Sequence, residues 1–286
     1  MPPAILVDGL VQSCTYMLMA FGMVLVFSIL GILNWAHGQF YMLGAFVVYY
    51  AVNAAGIPFP VSILISAAAI GGLGVLVDKF IIERANVPGY GLLYVSVATI
   101  GLISFFDGGA SMLFGMEDKG MANVLSGVLN LGSFSVSYQK IAVVITTLVI
   151  MVSMYIVLNF TKTGLAIRAA AQAPGAASLY GVNVERLKLV VMGIGCAMAA
   201  VAGGIMAPVY VVNPFIGQIP LMMSLLAIII GGIGSLTGAI MGALILGFIN
   251  SVGAYYVSYI SELMLFVLII AILLVRPQGL FGVSTR

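Results

Sequence analysis

Leu189-Val190-Val191-Met192-Gly193-Ile194-Gly195-Cys196-Ala197-Met198-Ala199-Ala200-Val201-Ala202-Gly203-Gly204-Ile205-Met206-Ala207 decides the fold. It carries no charge and is about as long as the roughly 20 apolar residues a helix needs to cross a bilayer. It opens a longer stretch, between Lys188 and Glu262, that holds no Asp, Glu, Lys or Arg. Asp8 and Asp78 bracket a second such stretch, and Arg84–Asp107 and Lys140–Lys162 bracket shorter runs of about one crossing each. Soluble cores do not contain uncharged runs of this length.

The whole chain agrees. It is 63% hydrophobic and 6% charged, against roughly 25% charged residues in soluble domains. Runs such as Ile228-Ile229-Ile230 do not alternate polar and apolar residues, which excludes a transmembrane β-barrel. Backbone hydrogen bonds must then close within each segment, as helices do. The expected fold is all-α, a polytopic transmembrane helical bundle of about 8–9 membrane segments with interrupted or re-entrant helices. The net charge of +2 gives no footing for nucleic acid. Cys14 and Cys196 sit in apolar runs and read as packing residues. No Lys or Arg precedes Lys79, so the first helix is expected to be retained rather than cleaved as a signal peptide.

Spans are expected from about Ile5 to Leu30, Tyr41 to Val52, Val61 to Ile82, Pro88 to Phe114, Lys140 to Phe160, Leu189 to Ala207, Leu221 to Ile230, Ala239 to Val257 and Leu263 to Val275. Ala55–Pro60 and Pro208–Pro220 read as turns, and Gly115–Gln139 as a polar stretch with room for a short surface helix. Placing the basic 161–188 connection in the cytoplasm puts eight of the ten basic residues on that side and leaves Lys119 and Lys140 outside, as the positive-inside rule requires. The N-terminus then lies outside and the C-terminus inside. If Trp35–Val52 only dips into the membrane, the N-terminal side is reversed.

Two polar knots interrupt the apolar pattern, Gly31-Ile32-Leu33-Asn34-Trp35-Ala36-His37-Gly38 and Gly231-Gly232-Ile233-Gly234-Ser235-Leu236-Thr237-Gly238. Broken helices free backbone groups that lipid cannot satisfy, so breaks survive where they line a cavity or are buried in protein. Asn34, His37, Gly38, Gly232, Gly234 and Ser235 are therefore candidates for a translocation path or its supports. The competing reading makes Gly234, Gly238 and Gly242 a small-residue stripe for helix contact and His37 a hydrogen-bonded residue holding its break together. His37 is the sole histidine and has no Cys or acid neighbour, so no metal site is expected. Asp107 is the one acid that could stand at membrane depth.

The 161–188 connection reads as two short Ala-rich helices. Leu165–Gln172 has high helix propensity, Pro174 can open a second helix and Gly181 can end it. A small-surfaced, basic-edged helix suits docking into a groove on another protein.

Thr163-Gly164-Leu165-Ala166-Ile167-Arg168-Ala169, followed by Ala177-x-Leu179-x-Gly181-Val182-Asn183-x-x-Arg186, resembles the coupling-loop region of the permeases of bacterial branched-chain amino acid ABC transporters. Asn34-Trp35-Ala36-His37-Gly38 is similar to that family's N-F-A-H-G segment, with Trp35 in place of the usual Phe. Gly231–Ala239 and Arg276-Pro277-Gln278-Gly279-Leu280-Phe281-Gly282 also match, so the resemblance spans nearly the whole chain in order. It implies a single permease domain over 1–286, multi-pass in the bacterial inner membrane, with a cytoplasmic coupling loop at 161–188. Gly164, Arg168, Ala169, Ala170, Gln172, Ala177, Leu179 and Gly181 would form the ATPase contact; Gln172 stands where many relatives carry Glu. The implied partners are a second permease subunit, two ATP-binding subunits and a periplasmic substrate-binding protein. ATP and Mg would sit on the partner ATPases, in keeping with the absence here of G-x-x-x-x-G-K-[ST], and this chain would be a transport subunit with no catalytic residue.

Amino acids with hydrophobic side chains are the first expectation for the solute, with amides or urea as the alternative within the same type of importer. An ion-coupled transporter would need a cluster of acids near the bilayer midplane. A membrane-embedded enzyme would need paired His or acidic ligands on adjacent spans. Neither pattern is in the sequence.

Overall fold

The computed structural model describes residues 3–87, 89–121, 124–125, 127–130, 135–256, 267, 270, 274, 276 and 278–281. The helices are α1 (Pro3–Leu30), α2 (His37–Asn53), α3 (Phe59–Val77), α4 (Glu83–Ala85), α5 (Gly91–Phe114), α6 (Tyr138–Phe160), α7 (Lys162–Gln172), α8 (Pro174–Leu179), α9 (Val184–Met206), α10 (Gln218–Gly231) and α11 (Leu236–Tyr256). A π-helical turn, Asp78–Ile82, joins α3 to α4. Six helical stretches among the described residues are long and apolar enough to cross a membrane: Ala4–Leu30, Phe59–Ala85, Gly91–Phe114, Tyr138–Phe160, Val184–Met206 and Leu236–Tyr256. The protein is thus a polytopic helical bundle. α2 and α10, with 17 and 14 residues, span only about 25 and 21 Å. The expected last span, Leu263–Val275, falls largely outside the described residues.

One departure concerns Gly115–Gln139. The described residues from 115 to 137 hold no helix; Val128–Asn130 pairs antiparallel with Ser135–Ser137, and Lys119 forms a β-bridge with Val212. With no apolar period to commit it to a helix, the segment takes its hydrogen bonds from the chain beside it.

α1 and α9 form the centre. About 78% of α1's membrane-length window and 72% of α9's are buried, against 28% for α5 and 17% for α6, so α5 and α6 present most of their apolar surface outward. Lipid is as apolar as leucine, so close packing, more than apolar burial, must hold such helices together. The contacts are accordingly made by small residues. Gly22 lies against Gly195, Gly71 against Gly193, and Gly44 so close to Ala200 that a methyl group would strike its backbone. Gly203 meets the Tyr41 carbonyl in the same way. α2 and α3 pack on α9, while α1 packs on α9, α10 and α11.

Two ends of the bundle can be told apart. α6 runs from Lys140, whose Nζ lies 2.5 Å from Asp8 of α1, to Thr161, where α7 begins. Ser28, near the far end of α1, shares a cavity with Leu158, Asn159 and Arg168. α1 and α6 therefore run parallel, and α7 and α8 form a helical foot at the end away from Asp8.

Candidate functional site: two interrupted segments and a helical foot

α1 stops at Leu30, at the foot end. Residues 31–36 then turn back into the bundle, where Gly31 takes φ +69°, a left-handed backbone that glycine adopts without strain. α2 begins beside the middle of α1: a Cβ on Gly22 would lie 3.4 Å from His37 Nε2. It ends where Phe46 stacks on Phe114, the last residue of α5, with the Tyr50 ring tilted beside it. The segment therefore passes through the bundle and does not return to the foot.

The connection after α9 enters from the other end. Residues 207–217 lead to α10, whose start meets the start of α2: a Cβ on Gly38 would lie 2.5 Å from the Gly217 carbonyl oxygen and 2.9 Å from Leu221 Cβ. Two short helices thus begin in the interior, nose to nose. Neither carries a side-chain cap, so first-turn N–H groups and their partial positive charge lie there. The sequence reading paired the Gly31–Gly38 knot with Gly231–Gly238. In space its neighbour is the stretch read as a plain Pro208–Pro220 turn, and the shortness of α10, with Gly217 before it, was the available signal.

Polar groups collect at this junction. Asn34 and Gln39 are 2% exposed and His37 is fully buried. Asn34 Oδ1 accepts from the Ala36 N–H at 3.0 Å, and Gln39 Nε2 donates to Asp107 Oδ1 at 3.1 Å. Asn34 Nδ2, both ring nitrogens of His37 and Gln39 Oε1 have no protein partner. Buried polar groups are nearly always paired, which sets this group apart from the apolar interior around it.

The second break lies at the foot end. Gly232 takes φ +102° and Gly234 φ +87°, and Ser235 Oγ accepts from the Gly238 N–H at 3.0 Å, capping α11. Gly238 and Gly242 do meet backbone, of Gly231 and Ala227, but Gly234 has open space around it and serves the turn. Leu280 N–H donates to the Ile230 carbonyl at 2.7 Å and Phe281 N–H to that of Gly231 at 3.0 Å, satisfying acceptors that the end of α10 leaves free. Gly234 and Thr237 line a cavity of about 540 Å³ with Phe21, Leu25, Arg168 and Gln172. The break therefore borders the foot, and Gly234 is exposed where His37 is buried.

Within the foot, Gly164, Ile167, Ala170 and Ala177 face inward, Ala169 is half-buried, and Arg168, Gln172, Leu179 and Gly181 are exposed. A side chain on Gly164 would strike the backbone of Val157 and Leu158, so α7 can fold tightly under α6 only with glycine there. Thr161 Oγ1 caps α7 by accepting from the Gly164 N–H at 3.0 Å. Gly181, at φ +85°, ends α8, and Asn183 Oδ1 caps α9 by accepting from the Arg186 N–H at 3.0 Å. Asn183→Ala is expected to cost about 1 kcal/mol, read as a melting temperature lower by roughly 2 °C in detergent.

Sequence reasoning did not single out Gln39, Gln12 or Asn250, which join helices far apart in the chain; Asn250 Nδ2 donates to Gln12 Oε1 at 2.8 Å. Isolated amides in apolar runs give no spacing to read. No cluster of three or more His, Cys, Asp or Glu occurs among the described residues.

Residues 5–274 match the family described as "Branched-chain amino acid transport system / permease component". The high-affinity branched-chain amino acid transport system permease protein LivH of Salmonella typhimurium is 33% identical over 288 residues, covering 96% of this chain and 94% of that one. BraD of Pseudomonas aeruginosa, a permease protein of the same title, is 29% identical over 97% of this chain and 94% of its own length. Among solved structures, PsaBC from Streptococcus pneumoniae in complex with Fab aligns with 95% of this chain and 90% of its own at a TM-score of 0.49 and 12% identity, a distant likeness.

Proposed function

We propose, on the premise that this chain belongs to the permease-component family of branched-chain amino acid transport systems, that it is the membrane-spanning subunit of an ABC importer for branched-chain or related hydrophobic amino acids. It works in the bacterial inner membrane with its foot and C-terminus in the cytoplasm. Its partners are a second permease subunit, two ATP-binding subunits and a periplasmic substrate-binding protein. The names of the relatives favour these amino acids over amides or urea.

The observation that carries this reading is the foot. Leu179 and Tyr180 are 88% and 90% exposed, at a bundle end that faces water. Apolar side chains presented together there mark a surface for another protein. ATP and Mg belong to the partner subunits. As these close on nucleotide they push α7 and α8. The Gly164 contact passes that displacement to α6, and the Gly181–Asn183 turn passes it to α9. Bonds are broken elsewhere; this chain supplies the path and its two-state packing.

The test is solute uptake into vesicles containing the full complex, with and without the ATP-binding subunits and ATP. Uptake is expected only when both are present. Gradient-driven uptake by this chain without nucleotide would replace the importer reading with the ion-coupled one.

A further inference from the structure

Building on that importer reading, we propose that a chamber between α1, α2, α10 and α11 holds the solute in transit, and that its uncharged polar lining selects a zwitterion with an apolar side chain. The chamber measures about 530 Å³, within the roughly 300–1,000 Å³ of small-molecule sites. Its polar lining includes Gln12 and Tyr16 of α1, Tyr41 of α2, Tyr210, Gln218 in the first turn of α10, and Asn250 of α11. Met206 and Ile219 supply apolar wall.

The hydrogen bonding leaves room for a guest. Asn250 Nδ2 donates to Gln12 Oε1 at 2.8 Å and to Tyr16 Oη at 3.0 Å. Asn250 thereby keeps Oδ1 as an acceptor for an ammonium group, and Tyr16 keeps its O–H as a donor for a carboxylate. The uncapped start of α10 adds N–H dipoles on the carboxylate's side.

None of the described residues that line the chamber is charged. A solute with a charged side chain would be desolvated there without a counter-ion, which is costly. A zwitterion brings equal and opposite charges that neutral dipoles can meet. An adjoining cavity of about 500 Å³ shares Gln12 and Tyr210 and holds Asp8 and Lys140. A zwitterion entering from that end meets one group of each sign before reaching the chamber, which lies next to the Gly38–Gly217 junction.

The experiment uses the assembled complex in vesicles with ATP, and compares uptake of leucine and lysine. Asn250→Asp is expected to lower the leucine-to-lysine uptake ratio about tenfold by giving the chamber a carboxylate. Tyr16→Phe, which keeps the ring, is expected to raise the KM for leucine about tenfold. Wild-type ratio and KM in these variants would overturn the proposal. Should Asn250→Asp not assemble, an unchanged KM in Tyr16→Phe overturns it alone. A wild-type complex without ATP-dependent leucine uptake would instead sink the importer reading, whatever the variants do.

Discussion

Leu179→Asp is expected to reduce ATP-driven uptake at least about 30-fold while leaving the protein inserted and its melting temperature unchanged. At 88% exposure the side chain contributes nothing to packing within this chain, so its loss has no route to instability. In a partner's apolar groove a carboxylate would be desolvated without a partner charge, and central contact residues commonly carry 2 kcal/mol or more of binding, at about 1.4 kcal/mol per tenfold. Ala170→Glu places the same charge on a fully buried face, and it is expected to lower the melting temperature as α7 is forced off α6. Measuring uptake, ATP hydrolysis and melting together separates the two failures. Normal uptake by Leu179→Asp would remove the foot as the drive contact.

Gly38→Val should be the most destabilising change at the interior junction, at about 3 kcal/mol, the upper part of the range for overpacking. Its new atoms would point at the Gly217 carbonyl and Leu221 Cβ, and neither α2 nor α10 can retreat without disturbing α9 or α11. Trp35, the sole tryptophan, lies three residues away and can report the melting transition by fluorescence. Gly72→Ala is the control: it has open space around it and is expected to shift stability by no more than about 0.5 kcal/mol. Equal melting of the two variants would mean that the junction is not tightly packed.

The spans were legible because charge is expensive in lipid: the stretches 9–77, 85–106, 141–161 and 189–261, free of Asp, Glu, Lys and Arg, take in most of α1, α3, α5, α6, α9 and α11. The interruptions were legible from glycine and proline, which mark where a helix stops. Which interruption meets which was not, because the starts of α2 and α10 are brought together by packing on α1 and α9 and leave no periodic trace in the residues between them. Gly234 shows the limit within one motif. Its spacing from Gly238 and Gly242 fits a packing stripe, yet it turns the chain while the other two pack. In the foot, composition announced two helices, but the division into Ala170 facing in and Leu179 facing out depends on how α7 folds under α6. The 115–139 stretch is polar without period, and such composition is compatible with helix and hairpin alike.

The hydrogen bonds from Leu280 and Phe281 to the last carbonyls of α10 fasten a peripheral strip of chain to a helix whose other end stands at the junction with Gly38. Whatever shifts α10 during a transport cycle must carry that strip along. A spectroscopic label beside Leu280 would then act as an indicator needle, showing from the edge of the molecule when its centre opens.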